Sequence, residues 1–517
     1  MEADFTDDRE GGAPAGSRDA SRKVGVLIAL HGHGDSPSSA LSWGRRMVPP
    51  DWEVVAPSSG RDSAGEQSWF ASGPRGANDS DLRSSMSAVE AVVQSAALLG
   101  GRVVLAGFSQ GGALALAMAW RGTRADRVIS VCGFLPEVDE LDTHCDSVAP
   151  SPVFVLGTDR DGVVPAFMGA DAAALFDSVG HPVESLTVSG THRVDADVAA
   201  TAGQFVTRDL DLGPWISLGL PVDRVEAVDE FVTAPAISAL ARHYEDLGFH
   251  GAYVTDHPAP DTRWLAGGGH HALEPVAALG VAAGATTRIR LHTNVYVLPY
   301  RNPLLAAKAL SSIDVISQGR LIAGVAAGYV RPEFTALGSD FDSRGAQLEE
   351  ALRVMPQVWS GAEFAGESQR WSARSVVSLP ATSGPPLWVG GNSRAAMRRA
   401  VTLAQGWSPM PTPAGSGRGL RTTEIVNESG LAARLAEARE LCESSGRSAP
   451  LTICFVPFSL AGYLADPVGG LAPMVEEIDR LRQIGVDWFP LMVPGGTRCR
   501  GLRSRCRSGG RVGSLSA

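Results

Sequence analysis

The chain has 517 residues, of which 44% are hydrophobic and 20% charged, with a formal net charge of −11. That length exceeds one ordinary core and predicts two or more domains. The composition is that of a globular protein, and the acidic balance argues against general nucleic-acid affinity. Six cysteines without a C-x-x-C pair predict a reduced, cytoplasmic protein rather than a disulfide scaffold.

Residues 1–22 are acidic and Gly/Ala-rich with no apolar core, so they read as a disordered lead-in rather than a signal peptide. No apolar run approaches the ~18 residues of a membrane span. From Lys23, short apolar runs alternate with helical stretches. Strands are predicted at 24–30, 53–56, 103–106, 128–132, 153–157 and 183–188, with helices at 81–99, 166–178 and near 195–210. Such alternation predicts a parallel sheet covered by helices on both faces. Residues 211–215 read as a short linker. A second alternation then gives strands at 216–220, 251–255, 288–298, 320–326, 386–391, 406–410, 451–458 and 486–493. Eight such strands close a (β/α)8 barrel. No internal repeat links the halves.

The most specific motif of the first half is G-x-S-x-G at Gly107-Phe108-Ser109-Gln110-Gly111. It lies between an apolar strand and an Ala/Leu helix, where a sharp turn exposes the Ser109 hydroxyl. Serine needs a base oriented by an acid, and in such a sheet the order is Ser, Asp, His. Asp161, before Val163-Val164-Pro165, is the preferred acid and Asp159 the reserve. His192 follows the sixth strand, where the base belongs. The oxyanion donors are expected to be the amides of Gln110 and of His33 in the HGHGDS loop. His31 reads as structural and Cys132 as core. HGHGDS, QSWF, GFSQGG, DGVVP and GTH together resemble the phospholipase/carboxylesterase family, which includes acyl-protein thioesterases. The resemblance implies an α/β-hydrolase domain over 23–210 that hydrolyses carboxylic esters or thioesters through an acyl-serine, with no cofactor. The sequence departs from the family at Leu156-Gly157, where His-Gly is common, and in an acid loop one residue longer.

In a barrel, function sits at the C-terminal ends of the strands. Those ends carry Asp256-His257, Thr293-Asn294-Val295, Gly328-Tyr329 with Glu333 nearby, and Gly391-Asn392-Ser393. The last opens a helix and suits an anion. The half has no nucleophile motif and no metal-ligand spacing; Gly267-Gly268-Gly269-His270-His271 reads as a flexible loop, and no metal is expected. The segments around Asp256-His257, WLAGGGHHALEP, VLPYRNPLLAAKALSSIDVISQGR and PPLWVGGNSRAAMRRA resemble the bacterial luciferase-like family, in its branch using coenzyme F-420, an 8-hydroxy-5-deazaflavin. The resemblance implies a TIM barrel over 216–497 and a cofactor held by Asp256, Asn294, Val295, Gly328, Gly391, Asn392 and Ser393. It also implies a non-proline cis peptide at Asn294–Val295, and His257 as acid/base.

The expected whole is an α/β chain of two domains: a serine hydrolase fused to a deazaflavin-dependent oxidoreductase. It would act on a small ester or thioester and on a small organic hydride donor or acceptor. The alternatives are an active hydrolase carrying a degenerate barrel, or a barrel using FMN as a monooxygenase. A homodimer through the barrel is an option. Residues 498–517 hold six arginines and no acid, and read as a basic disordered tail in place of the family's last helix. The outer face of the eighth strand is therefore expected to be exposed.

Overall fold

The computed structural model describes residues 25–62, 64–71, 76–138, 141, 150–210, 213–415 and 422–494. The expected lead-in, the basic tail, most of the linker's first half, and Cys145, Cys499 and Cys506 lie outside the described residues. No helix among those described is long and apolar enough to cross a membrane.

The first sheet has six strands, β1 (Gly25–Leu30), β2 (Glu53–Val55), β3 (Arg102–Phe108), β4 (Arg127–Val131), β5 (Val153–Thr158) and β6 (Val183–Val188). They are all parallel in the order β2-β1-β3-β4-β5-β6. Every residue of β1, GVLIAL, is buried, as a strand covered on both faces demands. One face packs on α2 (Asp79–Ala97) and α3 (Gln110–Trp120) through Leu82, Val89 and Leu114. The other packs on α1 (Pro37–Met47) and α4 (Ala196–Thr207) through Trp43, Val198 and Phe205. Ser36 begins α1 by accepting the amide of Ser39, with Pro37 in the first turn, where its missing N–H costs nothing. Between β2 and α2 a small antiparallel hairpin pairs Gly60–Arg61 with Gln67–Ser68, an element the sequence reading missed.

The second sheet has eight strands, β7 (Trp215–Gly219), β8 (Gly251–Val254), β9 (Arg290–Val297), β10 (Leu321–Ala326), β11 (Leu387–Gly390), β12 (Gly406–Ser408), β13 (Thr452–Ile453) and β14 (Trp488–Leu491). Each pairs in parallel with its chain neighbour, β14 returns to pair with β7, and a parallel bridge from Cys454 to Trp488 spans the remaining gap. The molecule is therefore an α/β-hydrolase-type parallel sheet followed by a TIM (β/α)8 barrel, as the strand count predicts.

The expected exposure of the last strand is corrected. All four residues of β14 are buried, and Phe489 and Leu491 join one core cluster with Met474, Ile478 and Leu481 of the helix Leu471–Gln483. Cover for this strand comes from the helix that precedes it.

The hydrolase-like domain docks on the N-terminal end of the barrel. The carboxyl end of α1 carries Arg45 and Arg46 into this junction. Arg46 Nη2 lies 2.6 Å from Asp314 Oδ2, both side chains almost fully buried. Arg290, the first residue of β9, donates to the carbonyls of Arg45, of Val48 at 2.9 Å and of Gly319 at 3.3 Å. Arg320, just before β10, turns inward instead and donates to the carbonyls of Ala283 (2.9 Å), Thr286 (3.0 Å) and Ile289 (2.9 Å). It thereby satisfies the open end of the helix Pro275–Ala285.

Inside the barrel His292 is fully buried between Tyr253 and Trp388, and neither ring nitrogen has a hydrogen-bond partner. Burial lowers its pKa from the ordinary 6.5 to about 3. Below the ordinary value the unfolded chain binds a proton that the folded chain refuses, so stability is complete above that pH and is lost as pH falls. His292→Phe, which keeps a flat ring in this aromatic niche, is expected to remove about 1.4 kcal/mol per pH unit of acid sensitivity below the ordinary histidine value. Urea unfolding of the wild type and variant across mildly acidic pH checks this.

Candidate active sites

In the first domain the turn from β3 into α3 is set by contacts that exclude side chains. A Cβ on Gly107 would sit 2.0 Å from the Gly111 carbonyl oxygen, and one on Gly111 would sit 2.3 Å from that of Leu30. With both positions glycine, Ser109 takes φ 53° and ψ −116°, a conformation L residues rarely adopt. This turn brings the Ser109 hydroxyl to the mouth of the sheet.

His192 Nε2 lies 2.9 Å from Ser109 Oγ, and His192 Nδ1 lies 2.7 Å from Asp161 Oδ2. Asp161 is the acid of this chain of contacts. Asp159 instead accepts the amide of Gly190 at 2.8 Å. The other Asp161 oxygen accepts the amides of Val163 and Val164, both at 2.8 Å. Its side chain is wholly buried. Burial pushes its pKa up, but the bond to His192 and the two valine amides outweigh that and hold it below the ordinary carboxylate value. Behind it lies Cys132, buried as expected, with its thiol pushed up to about 12 by desolvation and so inert as a nucleophile.

Gln110 opens α3, so its amide has no acceptor within the helix. Its side chain explains the QSWF segment: Nε2 donates to the Phe70 carbonyl at 2.7 Å and Oε1 accepts the Trp69 amide at 2.9 Å. Trp69 in turn donates to the His31 carbonyl at 2.8 Å and stacks near the His31 ring, which is fully buried. The loop bearing His33 is thus fastened to the turn bearing Ser109. The His33 ring points to the surface hairpin, 3.5 Å from Asp62 and 3.3 Å from Glu66. Two sets of possible metal-ligating side chains occur among the described residues: this exposed one, and Cys132 with Asp161 and His192.

In the second domain the residues gather at the C-terminal end of the barrel. His257 Nδ1 lies 3.2 Å from Glu333 Oε2, and the Glu333 side chain is completely buried. Tyr300 donates to the same carboxylate at 2.9 Å, and the Ala259 amide at 3.2 Å. Burial raises the Glu333 pKa, yet the bonds from His257 and Tyr300 more than offset it and leave it lowered. The His257 ring stands in an aromatic box, 4.3 Å from Trp264, 4.9 Å from His270 and 6.3 Å from Tyr329 between ring centres. Sequence reasoning missed Trp264, His270 and Tyr300. His270 was dismissed with its glycine-rich loop, whereas the loop folds back so that His270 meets His257 edge-on.

Asp256 is occupied elsewhere. Arg301 grips both its oxygens, at 2.6 and 2.9 Å, and the Val297 amide donates at 2.8 Å. The Asn294–Val295 peptide is cis, and Val295 packs against the place a Gly390 side chain would need. Gly328 has φ +77°, and a Cβ there would meet Val297 at 2.7 Å. Gly391 has φ +116°, and Ser393 caps the helix Arg394–Leu403 by accepting the Ala396 amide at 3.1 Å. The Asn392 side chain is fully buried and binds Met410, Thr412 and Thr423 of the following loop. It therefore shapes the loop and does not reach toward the open cradle.

Residues 17–208 match the Phospholipase/Carboxylesterase family and residues 219–447 the Luciferase-like monooxygenase family. The two halves of the chain are thus similar to two different families. An FMNH(2)-dependent dimethylsulfone monooxygenase of Pseudomonas fluorescens is 30% identical over 37% of this chain and 52% of its own length. An F420-dependent glucose-6-phosphate dehydrogenase of Mycobacterium avium is 30% identical over 32% of this chain and 51% of its own. An uncharacterised protein of Mycobacterium tuberculosis is 29% identical over 37% and 60%. The chain thus spans between half and three-fifths of the length of these relatives. Among solved structures, monooxygenase RslO1 from Streptomyces bottropensis superposes with TM-score 0.43 at 20% identity, over 56% of this chain and 96% of that one. Esterase PE8 superposes with TM-score 0.32 at 23% identity, over 36% and 93%.

Arg301→Leu is expected to leave Asp256 buried without its counter-charge and to cost about 3–5 kcal/mol of stability. The double variant with Asp256→Asn should recover part of that loss, read by urea unfolding.

Proposed function

We propose that the chain is a bifunctional fusion of a serine carboxylic-ester or thioester hydrolase and a deazaflavin-dependent oxidoreductase. The observation that carries the first half is the continuous contact from Ser109 through His192 to Asp161. In this reading His192 Nε2 takes the Ser109 proton as Oγ attacks the acyl carbon. The buried Asp161 carboxylate holds the imidazole in the right tautomer and steadies its charge. The amides of Gln110 and His33 receive the developing oxyanion, each such donor being worth about 3–4 kcal/mol in the transition state. His192 then returns the proton to the leaving oxygen or sulfur, and water repeats the sequence to free the acid.

The second half rests on the His257–Glu333 pair beside an open cradle of backbone. The fit of a phosphorylated ring is supported by Gly328 and Gly391, both at positive φ, and by Ser393 at a helix start, where free amides favour an anion. Asn294 and Val295 would back the ring, while Asp256 and Asn392 would act by holding the walls. A bound 8-hydroxy-5-deazaflavin supplies hydride acceptance or donation at its C5. His257 exchanges a proton with the substrate oxygen, and Glu333, itself held by Tyr300, fixes the ring of His257. Trp264 and Tyr329 keep water from that proton. FMN is the second reading, favoured by the FMNH(2)-dependent relative.

Ser109→Ala is expected to abolish p-nitrophenyl ester hydrolysis without changing the far-ultraviolet circular dichroism; undiminished turnover removes Ser109 from the reaction. Titration of the full chain with coenzyme F-420 and separately with FMN should quench the fluorescence of one of them. Quenching of neither defeats the cofactor assignment.

A further inference from the structure

Between the two domains lies a cleft of about 450 Å³ that neither family would build alone. One wall is the start of α1 together with Phe108, His192 and Arg193; the other is the end of the barrel helix Pro303–Ile316 and the loop 380–383. The volume falls within the range of small-molecule sites. Arg193, the residue after the proposed base, reaches across and donates to the carbonyls of Ser360 (3.4 Å) and Thr382 (3.3 Å). The loop carrying His192 is therefore held by the barrel itself.

We infer that this interdomain cleft is the leaving-group subsite of the hydrolase, that the barrel supplies its specificity wall, and that it takes an uncharged alcohol bearing further hydroxyl groups. The inference rests on Ser109 and His192 acting as proposed above. Its direction follows from the chemistry. When the acyl carbon–oxygen bond breaks and the Ser109–acyl bond persists, the departing alkoxide collects its proton from His192 Nε2. The alcohol must therefore lie on the side of His192, and the cleft runs along His192 and its successors. Its character follows from the lining. Ser36, Ser38, Ser39 and Thr382 offer hydroxyls, while Val315 and Ala381 give small apolar contacts. The formal charges there cancel: Asp314 is paired with Arg46, and Asp35 and Arg193 carry opposite charges, the first accepting the Ser36 amide and the second held on barrel carbonyls. No net charge remains to attract an ionic alcohol, and neutral hydroxyls are what such a wall hydrogen-bonds.

The test uses the full chain and two esters of one acid, glyceryl monobutyrate and ethyl butyrate. A fluorophosphonate serves as a third probe, because its fluoride leaving group needs no cleft. Ala381→Trp and Val315→Trp each fill the subsite from the barrel side at exposed positions. Each should lower kcat/KM for the glyceryl ester about tenfold or more, spare the ethyl ester, and leave fluorophosphonate labelling of Ser109 at the wild-type rate. Labelling with an unchanged glyceryl-to-ethyl ratio in both variants overturns the subsite alone. A wild-type chain that neither labels nor hydrolyses overturns the nucleophile reading, and the subsite with it.

Discussion

The arrangement of the whole molecule depends on guanidinium groups buried where two domains meet. Arg290 has no bulk water to solvate it. Desolvation, reinforced by the neighbouring Arg45, Arg46 and Arg320, drives its pKa down to about 9. Such a charge persists only with close acceptors, and it finds them in the carbonyls of Arg45 and Val48 at the end of α1. Arg46 makes the reciprocal reach into the barrel, to Asp314. Breaking either contact would leave a buried charge without its partner, so the docking angle is fixed by the cost of error more than by attraction. The cleft beside His192 exists because that angle is fixed.

Both candidate sites solve one electrostatic problem alike. Each pairs an imidazole with a carboxylate whose side chain is fully buried, Asp161 in one and Glu333 in the other. A carboxylate so placed would become neutral unless donors held its charge. Valine amides do so in the first site; Tyr300 and the Ala259 amide do so in the second. The imidazoles then differ in what their far side meets. His192 faces a hydroxyl held in a strained turn, while His257 faces aromatic rings. In the proposed reading the first dyad would activate a nucleophile and the second would exchange a proton with whatever enters.

The legible parts of this chain were those encoded within a few residues. Strand runs such as GVLIAL declare burial on both faces, and Gly107-Phe108-Ser109-Gln110-Gly111 declares its own geometry because each glycine answers a local clash. The order Ser, Asp, His along the chain pointed to His192 and to an acid at Asp161 or Asp159, and it is Asp161 that lies against His192. The distribution of partners was not legible. Asp256 and Asn392 carry the right residue types at strand ends, yet Arg301 takes the side chain of one and Met410, Thr412 and Thr423 that of the other. Trp264 and His270 gave no periodic signal, and only the folding of their loop brings them to His257. The junction was invisible because it is built from scattered arginines reaching backbone carbonyls, which exist as acceptors at every position. The cover of the last strand was misjudged for a related reason: a strand can be shielded by the helix before it.

The hydrolase-like domain sits on the amino end of the barrel, and His257 and its neighbours sit at the carboxyl end. A packed interior of Tyr253, His292, Trp388 and Trp488 fills the distance between them. The axis of the barrel is thus taken up by packed side chains. What the covalent junction guarantees is equal copy number of the two centres, together with a cleft whose two walls come from different domains.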